Sequence, residues 1–418
     1  MWKRGTLFIV ALLICTAFAI SRGSPPATQS VRFDISQHGA VADGKTVNTA
    51  AIQAAIDQCA AGGGGTLVVP KGEFLSGSLF LKPGVNVELL EGAVLKGSPN
   101  PGDYEVRKGE RFEGHFAEWR TAMLNASNTD HLRITGPGTL NGNGAAFWSA
   151  PAPQGRPRLC AIRDSSDVVV SGVHFMSSAI WNLHLYNCQD VTVENCRFEI
   201  LDGEKGPSTD GTDVDSSQNV TIRGCFYSVN DDCICIKGNR YDGLDQEPAS
   251  PPVSNVHITD CTFRKGMGAL SLGTEATVIR DIEMDHCTVS GKVPMLRVKM
   301  RPDTPGQDYQ NIRVHDIKLD GKGTMLSIEL THGTKASAKP PRAVIKNIAV
   351  SDITGKFGSF GIVANNPNTD ISDISLKNIN VNLVGNPRLN STGATGLTFD
   401  NVIVNDQHIP ATSPATKE

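Results

Sequence analysis

A short phrase that recurs along the chain limits its possible folds more than any other feature. It opens on a polar residue, continues with Val, Ile or Leu, and places two more apolar residues between polar ones. Copies read "DVVVSGVHF" (167–175), "DVTVENCRF" (190–198), "NVTIRGCFY" (219–227), "NVHITDCTF" (255–263) and "DIEMDHCTV" (281–289). They continue as "NIRVHDIKL" (311–319), "NIAVSDITG" (347–355), "DISLKNINV" (373–381) and "GLTFDNVIV" (396–404). The second residue of each falls at 168, 191, 220, 256, 282, 312, 348, 374 and 397, so successive gaps run from 23 to 36 residues. A period of that size with strand alternation inside each unit is the mark of a solenoid. Each unit is too small to bury its own apolar face, so stacked coils must share one core. Leucine is not dominant and no four-strand blade signature is present, which leaves a right-handed parallel β-helix, an all-β fold. The unequal gaps put loops of different length on the coils, where sites are commonly built.

The start of the chain reads differently. In "NTAAIQAAIDQCAAGGGG" (48–65), Ala51, Ile52, Ala55 and Ile56 fall at helical spacing, and Gly62 onward stops the helix. A solenoid needs the open end of its core covered, so this segment is expected to be an N-terminal capping helix. Residues 64–95 then read as the first coils. Earlier still, "MWKRGTLFIVALLICTAFAI" has basic residues, an apolar run and Ala17-Phe18-Ala19, the pattern of a secretory signal cut after Ala19. The run is too short for a comfortable membrane span. The expected organisation is a signal over residues 1–19, one β-helix domain over 30–406 and a flexible tail over 407–418, exported or periplasmic and monomeric. A net charge of −4 without a basic run argues against a nucleic-acid partner.

Export permits disulfides, yet the cysteines follow the repeat. Cys196, Cys225, Cys261 and Cys287 occupy one position in four consecutive copies, where Val173 and Ile317 stand in neighbouring ones. They are expected to form a column of small apolar side chains. Among Cys59, Cys160, Cys188, Cys233 and Cys235 one bridge remains open.

Acidic residues collect in two neighbouring coils: Asp210, Asp213 and Asp215 in "STDGTDVDSS" (208–217), and Asp231 and Asp232 in "NDDC" (230–233). Asp210 and Asp231 are 21 residues apart, close to one coil, and coils stack about 4.8 Å apart. Carboxylates gathered on one outer face suit glycosidic cleavage, one as proton donor and another activating water. The same residues equally suit turns. Adjacent acids before a strand also pose a problem, because alternation sends one of them inward; a bend or bulge ahead of Cys233 would turn both out. In "LRVKM" (296–300), Arg297 and Lys299 share a strand face and suit an anionic sugar. A solvated strand face reads the same way.

The series "FDISQHGAVADGKTVNTAAIQAAIDQC" (33–59), "GPGTLNGNGAAFW" (136–148), "STDGTDV" (208–214), "NDDCICIKGN" (230–239), "GMGALSLGTE" (266–275) and "RVK" (297–299) resembles glycoside hydrolase family 28, the polygalacturonases and related pectin-degrading enzymes. The resemblance implies an inverting hydrolase that uses no metal or cofactor and acts on a pectic poly- or oligosaccharide. It implies Asp231 as general acid, Asp210 and Asp232 as the pair that holds and deprotonates water, and Arg297 and Lys299 as ligands of a uronate carboxylate. Three departures bear on the substrate. The family's Asn is Ser208, its Gly-His-Gly histidine is Met267, and its substrate-contacting tyrosine has no match, His332 being the stand-in. Met267 and Asp231 each lie 11 residues after their repeat anchors, 256 and 220, and are expected at equivalent positions of adjacent coils. Because methionine cannot titrate, action on rhamnogalacturonan or another decorated pectic chain stands as an alternative, and a non-catalytic carbohydrate-binding β-helix as a second.

Overall fold

The Asp or Asn that opens each repeat turns a corner. Asp190, Asn219, Asn255, Asp281, Asn311, Asn347 and Asp373 all hold φ between 55° and 61°, a left-handed conformation that short polar side chains tolerate best. The same side chains bond from coil to coil. Asn219 Nδ2 donates to Asp190 Oδ1 at 2.9 Å and Asn255 Nδ2 to Asn219 Oδ1 at 2.8 Å; Asn311 and Asn347 continue the ladder farther on. The residue after each corner enters the core. Val168, Val191, Val220, Val256, Ile282, Ile312, Ile348 and Ile374 pair successively in parallel register and are buried.

These are the coils of the expected right-handed parallel β-helix. The computed structural model describes residues 31–149, 154–238, 250–275, 278–300, 306–330, 343–364 and 369–411. Among them, one coil runs through strands Gln218–Arg223, Phe226–Ser228 and Asp232–Lys237. The first two strands of such a coil join a 23-stranded sheet, and the third joins an 11-stranded sheet. In later coils the first two strands run together, as in Asp308–Gly321, Ala343–Phe357 and Thr369–Leu383.

A second corner, at Asn195, Gly224, Asp260, His286 and Asp316, again has positive φ and precedes the cysteine column. Cys196, Cys225, Cys261 and Cys287 are buried there, and all nine described cysteines are free. Next to them Phe175, Phe198, Tyr227 and Phe263 stack with centroids 4.8, 4.8 and 5.3 Å apart, because the rings inherit the coil spacing.

The helix Thr49–Ala61 buries Ile52, Ala55, Ile56 and Cys59 against the first coils. Its Gln53 completes the backbone bonds of the edge strand Leu79–Phe80: Nε2 donates to Phe80 O at 3.1 Å, and Oε1 accepts from Phe80 N at 2.9 Å. The edge is thereby closed to further strands. Gly62 caps the helix, and Gly64 follows at φ 98°, where a Cβ would stand 2.6 Å from Gly84 O. At the other terminus Gln407–Ile409 pairs antiparallel with Val402–Val404, so strand order extends past the expected boundary at 406. The signal segment 1–19, His332 and most of the loop 238–255 lie outside the described residues. No helix among the described residues is long and apolar enough to cross a membrane.

One element departs from the coils. Val106–Phe112 and His115–Arg120 form an antiparallel hairpin, turning through Glu113 and Gly114 at φ 43° and 80°. It is the two-residue turn whose twist suits a hairpin.

Candidate active site

Strands of the 11-stranded sheet begin with two consecutive core residues, such as Cys233 and Ile234, Ala269 and Leu270, or Met295 and Leu296. Alternation slips by one position there. Asp232, just before the slip, is thereby turned to the outer face, as are Cys235 and Lys237 beyond it. The doubled acid is accommodated by this corner. Asp232 is only 1% exposed, but it is partnered rather than stranded. Ser271 Oγ donates to its Oδ1 at 2.7 Å, Lys299 Nζ reaches Oδ2 at 2.5 Å and Arg297 Nη1 stands 3.4 Å from Oδ1. Gly268 makes room: a Cβ there would lie 2.2 Å from Ser271 Oγ and 3.2 Å from Asp232 Oδ1.

Asp210 lies in the preceding coil beside Asp232. Gly211 N donates to Asp232 O at 2.9 Å, and carboxylate oxygens of the two acids lie within 4.8 Å of each other. Asp231 occupies the turn before the strand, half-buried, its Oδ1 accepting from Asp232 N at 2.9 Å. One coil on, Met267 N donates to Asp231 O at 2.9 Å, which puts these two residues at equivalent positions. Met267 is 49% exposed. Ser208 is half-buried at φ 55° next to Asp210, and its carbonyl accepts from Trp181 N at 3.0 Å.

The four carboxyls of this face are held in different states. Burial and the neighbouring Asp213 push Asp210 well above the usual carboxylate range, against the pull of Lys237. Burial and then Asp232 raise Asp231. Burial pushes Asp213 up to about 7. Burial also opposes ionisation of Asp232, yet Lys299, Ser271 and Arg297 together hold it below its ordinary value. Acids whose environments separate their pKa values suit a division into donor and acceptor.

Asp210, Asp232 and Cys235 are close enough to surround a cation. Two ammonium groups already supply positive charge there: Lys299 on Asp232, and Lys237 at 3.7 Å from Asp210 and 3.4 Å from Asp213. Lys237 is the site residue that sequence reasoning passed over. Its signal was its parity with Cys235 at the end of "CICIK", which puts it on the same outer face.

The hairpin bounds this face on the side of Asp210. Phe112 stacks on Trp119 at 4.0 Å and on Trp181 at 4.8 Å, and Trp181 lies one coil before Asp210. Buried Arg111 bonds Asp215 at 2.9 Å, and buried Arg158 bonds Glu110 at 2.6 Å. The loop after the hairpin is tied in as well. Trp119 Nε1 donates to Arg156 O, and Arg156 Nη1 donates to Ala179 O and Pro207 O at 2.8 Å.

Comparison with known proteins identifies one family. A sequence model described as glycosyl hydrolases family 28 matches residues 59–407. An exopolygalacturonase of Zea mays is 25% identical over 82% of this chain and 84% of its own. A probable endo-xylogalacturonan hydrolase A of Neosartorya fischeri is 27% identical over 73% of both chains. The crystal structure of an exopolygalacturonase from Thermotoga maritima superposes with a TM-score of 0.73 at 20% identity, covering 91% of this chain and 93% of that one, a likeness of fold.

Proposed function

Because the chain belongs to glycosyl hydrolase family 28, and so is a glycoside hydrolase of a pectin-degrading family, we propose that it hydrolyses the α-glycosidic bonds of galacturonan-type chains by inversion, working from a chain end. The observation that carries the reading is the group Asp210, Asp231 and Asp232, whose Asp232 is kept ionised by Lys299 and Arg297. Burial and then Asp232 raise Asp231, which favours it as the proton donor to the leaving oxygen. Asp232 and Asp210 hold a water between them, and Asp232 receives its proton. Lys299 is given over to Asp232. Arg297 touches Asp232 and Met267 O through Nη1 and has further donors for a uronate carboxylate.

Action from a chain end is supported by the hairpin. Trp181, 2% exposed, lies under it one coil from Asp210, so the hairpin stands across the sheet face on that side of the acids. The signal-like residues 1–19 support export of a single catalytic domain. A second reading keeps the chemistry and moves the substrate to a decorated pectic chain, favoured by the exposed thioether of Met267 beside Asp231.

The test is a time course of products from galacturonan, xylogalacturonan, rhamnogalacturonan and end-labelled oligogalacturonides. Small products from the first minutes are expected, with little fall in mean polymer length. Asp231→Asn should lower kcat by roughly 10²–10⁴-fold. Early release of mixed long oligomers overturns chain-end action, and exclusive use of a decorated chain selects the second reading. No release from any substrate overturns both.

A further inference from the structure

On the outer face of the 23-stranded sheet, away from the acids of the cleft, three successive coils bring imidazoles and carboxylates together. His257 is in register with Glu283, and Asp285 with His315. The core takes the intervening Ile282 and Met284, so alternation turns Glu283 and Asp285 outward. His257 Nε2 lies 3.0 Å from Asp285 Oδ2, His315 Nε2 lies 3.0 Å from Glu283 Oε1, and His315 Nε2 lies 3.9 Å from Asp285 Oδ2. A zinc ion with bonds of about 2.0–2.2 Å sets its tetrahedral ligands roughly 3.3–3.6 Å apart. The measured separations bracket that edge length.

A further observation points to a cation. His315 Nδ1 meets Asp316 Oδ2 at 2.7 Å, the carboxylate–histidine arrangement that stands behind metal-ligating imidazoles and turns Nε2 toward the ion. Nε2 pairs with Glu283 Oε1 at 3.0 Å, and Asp285, 7% exposed, turns Oδ2 toward it at 3.9 Å.

We propose that Glu283, Asp285 and His315, whose ligand atoms lie within 4.8 Å of one another, bind one divalent transition-metal ion of the zinc class, with His257 paired to Asp285 beside it. An imidazole with two carboxylates favours such an ion over calcium or magnesium, which take oxygen ligands. The ion joins the strands Val278–Asp285 and Asp308–Gly321, clamping two coils without touching the cleft. Glu283 keeps its second oxygen for Arg313, 3.1 Å away.

The experiment titrates chelator-treated full-length protein with zinc chloride at neutral pH by calorimetry, alongside thermal denaturation. One equivalent is expected to bind and to raise Tm. His315→Asn and Glu283→Gln should abolish both effects. Asp316→Asn, which alters only the orientation of His315, should weaken binding about 10–100-fold. Asp232→Asn, in the other acidic cluster, should leave zinc binding unchanged. Absence of saturable binding, or binding that survives in these two variants, overturns the proposal and leaves the cluster as an ion-pair ladder only.

Discussion

Asp213 is fully buried, and Lys237 approaches its Oδ1 at 3.4 Å without completing a hydrogen bond. Burial drives its pKa up to about 7, while in the unfolded chain it titrates near 4. The folded state therefore holds a proton that the unfolded state has released. This contribution is complete below about pH 4 and is lost as pH rises through about 7. Stability should fall across that window by up to ~1.4 kcal/mol per pH unit. Asp213→Asn preserves the shape and removes the titration, so its denaturation midpoint should depend less on pH. Equal slopes in the two proteins would refute the assignment. Asp210 and Asp231 were legible as neighbours from their spacing, and Asp232 as Asp210's partner from the motif. The sign of each shift was not, since it depends on which cations from other coils reach each carboxyl.

At the scale of elements, the hairpin 106–120 rests on buried charge. Arg111 and Asp215 are 104 residues apart in sequence and nearly inaccessible in the fold. Burial works against the charge on Asp215, yet Arg111 and His184 hold it ionised, while burial lowers His184 to about 4 and keeps it neutral. Removing one partner strands the other, at a cost of about 3–5 kcal/mol. Arg111→Leu should therefore show a large loss in chemical denaturation, and Arg111→Leu with Asp215→Leu should recover much of it. Additive losses would mean that the pair does not act as a unit. The turn at Glu113 and Gly114, between two alternating runs, could have announced a hairpin. Where it docks could not be read, because its partners belong to coils far along the chain.

Over the whole molecule, stability is shared between neighbouring coils. A middle strand such as Gln218–Arg223 pairs on both sides, with Gln189–Glu194 and Val253–Thr259. The last long strand, Thr398–Val404, has one coil on one side and only Gln407–Ile409 on the other. Amides of 398–404 should exchange with solvent well before those of 218–223 in native-state hydrogen exchange. The helix-covered first coils should stay protected. Uniform exchange along the chain would contradict this division.

The sequence by itself determined the coil. Period-two alternation places Val220 or Ile282 inside, and an Asp or Asn at each corner tolerates the left-handed turn, so fold class, core and capping helix were readable from local pattern. The tertiary structure decided the site. Lys237, Lys299, Arg297 and Ser271 come from different strands, and the hairpin comes from another part of the chain. Their effect on Asp210, Asp231 and Asp232 depends on distance in space and on exclusion of water, which local sequence does not encode.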